Sequence, residues 1–117
     1  MKEFAEKIIQ VVSEYFNVSS DVVTAGNTNR HEIVKPKYIA IYFCRILTDL
    51  STMYLGTIFN YKDHSGVIYA YKEVIKREKT EYEYRETLRE IKAIIIRRIE
   101  FTDKEYFEVF QENDYYV

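Results

Sequence analysis

Residues 60–71 read Asn-Tyr-Lys-Asp-His-Ser-Gly-Val-Ile-Tyr-Ala-Tyr and connect two segments whose apolar residues recur at helical spacing. In the segment before them, Leu55, Ile58 and Phe59 predict a short helix. Later in the run, apolar residues recur three and four positions apart, so a second helix is predicted to begin near Asp63. Two short helices joined by a tight turn form a helix-turn-helix, a motif whose second helix lies in the major groove of DNA.

Four polar residues stand at the start of the second predicted helix: Lys62, Asp63, His64 and Ser65. In helix-turn-helix proteins this end of the helix reaches the base edges, so all four are candidates for base contacts. More ordinary interpretations stay open for three of them. Asp63 suits a helix N-cap, whose carboxylate accepts backbone N–H groups, while His64 and Ser65 suit a solvent-facing first turn.

These residues resemble the C-terminal DNA-binding domain (domain IV) of DnaA, the bacterial chromosomal replication initiator. Residues 62–70, Lys-Asp-His-Ser-Gly-Val-Ile-Tyr-Ala, occupy the positions of the family's Arg-Asp-His-Thr/Ser-Thr-Val-x-x-Ala. The family's upstream signatures are matched by Pro36-Lys37-Tyr38-Ile39-Ala40-Ile41, Phe43, Leu47 and Thr48, and then by Leu55-Gly56 and Phe59. The resemblance covers about residues 4–77. It implies a Trp-repressor-like helix-turn-helix that binds double-stranded DNA.

The resemblance also implies roles for individual residues. The base contacts would be Lys62, Asp63, His64 and Ser65. The phosphate contacts would be Lys37, Arg45 and Thr48, although solvated helix surface is an equally ordinary interpretation of each. The loop that enters the minor groove would include Asn29, Arg30 and His31.

The sequence departs from the family pattern at several of these positions. Lys62 replaces an arginine and supplies a point charge instead of a two-pronged donor. Gly66 replaces a threonine and so lacks a hydroxyl and a methyl group, while Asn60 and Tyr61 replace a Gly-Gly turn. Asn29 stands where the family has its minor-groove arginine. We therefore expect DNA binding at a site that differs from the usual DnaA box or is shorter.

The charge of the chain is unevenly distributed. The 117 residues carry a formal net charge of −2, yet the part from Arg30 to Arg77 has eight Lys/Arg against four Asp/Glu. The remainder has nine against fifteen. This asymmetry indicates a basic face on an acidic body, a pattern that suits a nucleic-acid partner.

Several protein classes find no support in the sequence. No apolar run approaches the roughly 20 residues of a membrane span, and no secretory signal is visible, so we expect a cytoplasmic protein without a membrane partner. The single cysteine, Cys44, excludes an internal disulfide. The chain lacks a Gly-x-x-x-x-Gly-Lys-Ser/Thr loop, metal-ligand spacing and a catalytic constellation. We expect no cofactor, no metal and no enzymatic activity, and a stand-alone domain or a fragment without the DnaA ATPase domain.

The remaining pattern predicts an all-α fold: a compact helical domain containing the helix-turn-helix, plus C-terminal helices. One long helix is predicted to begin near Pro36. We expect residues 1–78 to form the DNA-binding domain and residues 79–117 a helical extension that packs on it, on a second copy or on a protein partner. Thr80 with Glu83, and Thr102 with Glu105, would open the extension helices as capping boxes. The first of those helices would pack through Leu88, Ile91, Ile95 and Ile99.

The leading hypothesis is sequence-preferring binding of double-stranded DNA in replication initiation or its regulation, and an origin in a phage or mobile element fits it. The alternative is a helical protein-interaction module that kept the fold and lost sequence-specific DNA binding. The shortage of basic residues in the loop before Pro36, Gly66 and the acidic segment 100–117 favour the alternative.

Overall fold

The computed structural model describes residues 2–25 and 30–100, without the side chains of residues 99 and 100. In this part of the chain six helices follow one another and no strand is present. Their bounds are α1 Lys2–Tyr15, α2 Ser20–Thr24, α3 His31–Leu47, α4 Thr52–Ile58, α5 Ser65–Thr80 and α6 Tyr82–Glu100. The predicted all-α class is confirmed.

Helix α1 contributes one apolar face to the core. Phe4, Ile8 and Val12 recur at four-residue spacing and are fully buried. The helix ends in a Schellman motif, in which Asn17 adopts a left-handed conformation with φ 57° and the Val18 N–H donates to the Ser13 carbonyl at 3.0 Å. Asparagine tolerates this conformation better than most residues, so it turns the chain toward α2.

Helix α3 lies at the centre of the fold and packs against α1, α2, α4 and α5. It begins at His31, five residues earlier than the sequence predicts. The N–H groups of Ile33 and Val34 donate to the Arg30 carbonyl at 3.0 and 2.9 Å, so the first turn forms before Pro36 is reached. Pro36 therefore lies inside the helix, where it removes one N–H of the second turn.

Helix α6 shares the core of the preceding helices. Tyr84, Leu88, Ile91 and Ile95 are buried, and α6 packs against α1 and α5. Two polar contacts to α1 accompany this packing: the Tyr15 hydroxyl donates to Glu90, and Arg98 pairs with Glu14. The side chain of Ile99 lies outside the described residues.

The predicted capping box at Thr80 is wrong. Helix α5 runs through Thr80, whose hydroxyl donates back to the Lys76 carbonyl at 3.0 Å. It therefore cannot start the next helix, and α6 begins only at Tyr82. Helix α5 also continues across residue 78, and the division into 1–78 and 79–117 stays a prediction. The second capping box, at Thr102, lies outside the described residues.

None of the helices in the described part of the chain is both long enough and apolar enough to span a membrane. Cys44 is a free, fully buried thiol in α3. Burial raises the pKa of this thiol, so it behaves as a small apolar side chain of the core.

The raised pKa values of three tyrosines predict that the protein unfolds in alkali. Burial raises the pKa of Tyr61 to about 12 and raises the pKa values of Tyr42 and Tyr84 as well. A tyrosine in the unfolded chain ionises at about pH 10. Because the folded state holds these protons more tightly, their contribution to stability is complete below about pH 10 and is lost as the pH rises through about 12.

A titration followed by far-UV circular dichroism tests this expectation. Tyr84→Phe should move the alkaline unfolding midpoint to higher pH, because one ionisable group is removed from the core. Tyr82→Phe is the matched control, since Tyr82 is 68% exposed. Identical midpoints for the two variants would contradict the prediction.

Candidate DNA-binding surface

The helix-turn-helix consists of α4, a turn over residues 59–64 and α5. Ser51 caps α4 by accepting the Tyr54 N–H at 3.0 Å. The helix ends as α1 does: Asn60 has φ 61°, and the Tyr61 N–H donates to the Gly56 carbonyl at 2.8 Å. Asn60 thus takes the left-handed position that glycine usually fills, and the turn closes with a bulkier pair than Gly-Gly.

Gly56 allows the turn to fold back onto α4. A Cβ at this position would lie 3.2 Å from the Asp63 carbonyl oxygen and 3.9 Å from the His64 Cα. From the sequence, a glycine within a short helix, which costs about 1 kcal/mol relative to alanine, predicts a close approach between helices. The neighbour is the backbone of the turn, however, and not another helix.

Asp63 organises the start of α5. One of its carboxylate oxygens accepts the Ser65 N–H at 2.8 Å and also the Ser65 hydroxyl. These hydrogen bonds lower the pKa of the Asp63 carboxyl. The cap-like role is therefore present, and α5 begins at Ser65, two residues later than predicted.

The four candidate base-contact residues lie together at this end of α5, and all are exposed: Lys62, Asp63, His64 and Ser65. His64 stands at the N-cap position without a side-chain capping bond, so its ring is available to an outside partner. Ser65 and Asp63 already bond to each other, and they would meet DNA as a connected pair. Their base contacts stay predictions.

Helix α5 continues the exposed surface beyond these four residues. Ser65, Tyr69, Lys72 and Lys76 follow at positions i, i+4, i+7 and i+11, and all are exposed. The opposite face, with Val67, Ala70 and Val74, is buried. The sequence reasoning missed Tyr69 and Lys72 as surface candidates, although the spacing of the polar positions already contained this signal.

The three predicted phosphate contacts have different surroundings. Arg45 is exposed, and its guanidinium carbon lies 6.0 Å from the centre of the Tyr71 ring. Lys37 is only 2% exposed, and its ammonium donates to the Ala25 carbonyl and lies over the Tyr61 ring. Burial lowers the pKa of Lys37.

Thr48 is also buried. Its hydroxyl donates to the Cys44 carbonyl at 2.6 Å and accepts the Leu50 N–H at 3.2 Å, so it closes the end of α3. The placements of Lys37 and Thr48 count against phosphate contacts, because their polar atoms face the protein. Arg45 is the residue of this set that a phosphate can approach.

The residues predicted for the minor groove lie at the start of α3. Arg30 and His31 are both exposed, and the Arg30 guanidinium pairs with Glu32 at 2.9 Å. A backbone hydrogen bond and, after it, the hydrogen bond and charge of Arg30 lower the pKa of Glu32. Asn29 lies outside the described residues, and the minor-groove role of this segment stays a prediction.

A comparison with protein families identifies the family of the chain. The model of the bacterial DnaA protein helix-turn-helix family matches residues 5–74, more than half of the chain. The chain belongs to this DnaA family. The match covers most of α1, all of α2 to α4 and most of α5, and the exposed start of α5 falls inside it. The resemblance inferred from the signatures around Pro36 and Asp63 is confirmed.

Individual relatives are chromosomal replication initiator proteins DnaA. The protein of Corynebacterium jeikeium is 36% identical over 99 residues, which make up 85% of this chain and 15% of the relative. The protein of Corynebacterium aurimucosum is 39% identical over 93 residues, 80% of this chain and 16% of the relative. The protein of Lactobacillus helveticus is 37% identical over 89 residues, which make up 76% of this chain and 19% of the relative. The chain therefore spans less than a fifth of the length of these relatives.

Proposed function

We propose that this member of the DnaA helix-turn-helix family binds duplex DNA in a sequence-preferring manner, in replication initiation or its regulation. One observation carries the proposal. The part of the chain that matches the family presents Lys62, Asp63, His64 and Ser65 together at the exposed start of α5. A protein that acts on the bacterial chromosome works in the cytoplasm, and we propose no catalytic role.

The proposed contacts divide into two groups. His64 and the Asp63–Ser65 pair would read base edges, since an imidazole and a hydroxyl can donate or accept and a carboxylate accepts from cytosine. Lys62 keeps the base contact predicted for it. Arg45, Lys72 and Lys76 would contact phosphates, which position the protein without reading the sequence. Lys37 is not in this group, because its ammonium is buried.

The protein-interaction module is the alternative function. It gains support from the burial of Lys37 and Thr48, whose polar atoms donate to carbonyls of the protein itself. Helix α5 exposes the cations of Lys72 and Lys76, which favour a nucleic-acid partner. A DNA-binding measurement at low salt separates the two functions.

The proposal predicts a moderate salt dependence. Each neutralised phosphate contributes roughly −0.9 to the slope of log K against log salt, so about three contacts give a slope of roughly −3. Affinity for duplex DNA should then fall roughly 40-fold between about 50 and 200 mM salt. Fluorescence anisotropy with a labelled random-sequence duplex measures this slope.

Lys72→Ala sharpens the test, because loss of one phosphate contact should reduce the slope by about one. Lys7→Ala is the matched control, since Lys7 is an exposed lysine on α1, outside the helix-turn-helix. Absence of binding at the lowest salt would overturn the proposed function and favour the interaction module.

A further inference from the structure

The ring of Tyr61 occupies the space that a side chain at residue 66 would need. A Cβ added to Gly66 would lie 2.5 Å, 2.7 Å and 2.8 Å from three carbon atoms of this ring. Such distances are far shorter than van der Waals contact, so the tyrosine and the glycine depend on each other. The position of the Tyr61 ring therefore requires a glycine at residue 66.

The same ring connects the turn to the end of α2. The Lys37 ammonium lies 4.6 Å from the centre of the Tyr61 ring, a cation–π distance, and donates to the Ala25 carbonyl. A second link lies beside it, where the Asn60 side-chain amide donates to the Thr24 carbonyl at 2.6 Å. Both carbonyls belong to the C-terminal end of α2 and the residue after it.

The surroundings of Lys37 explain why it needs the ring. Among the described residues, no carboxylate lies within ion-pair distance of this buried ammonium. A buried lysine without a counter-ion is costly unless other groups replace its water. One carbonyl oxygen and the face of Tyr61 are the groups that do so here.

We propose that Tyr61 is a positioning residue, held by Lys37 and seated on Gly66, that fixes the start of α5 relative to the end of α2. Its effect is to set the position at which His64 and Ser65 meet base edges. This inference rests on the proposed function for its consequence in DNA recognition. The packing itself does not depend on DNA.

The packing is tested by a cycle of four proteins: the natural chain, Gly66→Ala, Tyr61→Ala and the double variant. Alanine ordinarily stabilises a helix relative to glycine. In the chain that keeps Tyr61, we expect Gly66→Ala to lower the melting temperature, because the added Cβ meets the ring. In the Tyr61→Ala background, we expect the same substitution to raise the melting temperature. A shift of the same sign in both backgrounds would overturn the proposal.

A second measurement covers the case in which Tyr61→Ala does not fold. Lys37→Met keeps a long apolar stem and removes the ammonium, while Tyr61→Phe keeps the ring. In amide NMR spectra we expect Lys37→Met to shift the signals of residues 61–66, with Tyr61→Phe leaving those of His64 and Ser65 close to the natural positions. Unchanged signals in Lys37→Met would overturn the role of Lys37 in holding the ring.

The consequence for recognition is tested with a duplex selected from random DNA and with a scrambled duplex of the same composition. We expect Tyr61→Ala to lose about tenfold in affinity for the selected duplex and little for the scrambled one, with Tyr61→Phe restoring the preference. Equal losses on both duplexes would show a merely structural role. If the natural chain itself prefers neither duplex, the proposed function fails, and the melting-temperature cycle still decides the packing of Tyr61.

Discussion

Ile91→Ala and Ile95→Ala are each expected to destabilise the protein by about 2–5 kcal/mol, the range found when a large aliphatic side chain is removed from a core. Both side chains are fully buried in α6, which packs against α1 and α5. Small domains are stable by only about 5–15 kcal/mol, so the two substitutions together should leave little folded protein. Ending the chain after Thr80 removes the whole helix, and we expect it to abolish cooperative unfolding.

Thermal and urea unfolding of the single variants measure these losses. Arg97→Ala is the matched control, because it lies on the same helix and is exposed. It should shift the free energy of unfolding by less than about 0.5 kcal/mol. If a chain ending at Thr80 still unfolded cooperatively, with the melting temperature of the unmodified chain, α6 would be dispensable for the fold.

His64→Ala is expected to cost about 1–3 kcal/mol in binding to a preferred duplex and to relax the preference at one or two base pairs. The imidazole is exposed at the start of α5 and makes no capping bond, so its removal should leave the fold intact. Arg45→Ala should instead weaken binding to every sequence alike, because phosphate contacts carry no base information. Because Gly66 presents no side chain, the preferred site should differ from the usual DnaA box or be shorter.

Selection from random duplex DNA, repeated with each variant, compares the two effects. Lys7→Ala on α1 serves again as a control for the loss of one exposed cation. If His64→Ala loses equally on selected and scrambled duplexes, this surface reads no bases, and the protein-interaction module becomes the better hypothesis. The family pattern alone places Lys37 with Arg45 as a phosphate contact. Because the Lys37 ammonium faces Ala25 and Tyr61, we expect Lys37→Ala to lower the stability of the protein instead.

The spacing of apolar residues was sufficient to predict both helices of the helix-turn-helix and a packing face on the helix that follows them. Val67, Ala70 and Val74 recur three and four apart, and all are buried on the inner side of α5. The position of the helix-turn-helix followed from the same periodicity, and the family from the signatures at Pro36 and Asp63. Periodicity is a local property, so the order of residues contains it without knowledge of the fold.

The sequence was less informative about the residues at which helices begin and end. Pro36 and Thr80 both carry a strong local preference for a helix start, yet both lie within helices. In each case hydrogen bonds of neighbouring turns outweigh that preference: the Arg30 carbonyl accepts from the first turn of α3, and the Lys76 carbonyl accepts from Thr80. Local preferences contribute about 1 kcal/mol, and packing of a whole helix contributes more.

The sequence by itself determined an all-α chain of the DnaA helix-turn-helix family, with His64 at the start of its second motif helix. Only the tertiary structure decided the different placements of Lys37 and Arg45. Lys37 and Arg45 look alike as basic residues of α3, but the first is buried beneath Tyr61 and the second is exposed. The physical reason is that a lysine turns inward only where distant parts of the chain supply a carbonyl and an aromatic face, and those partners come together only when the chain has folded.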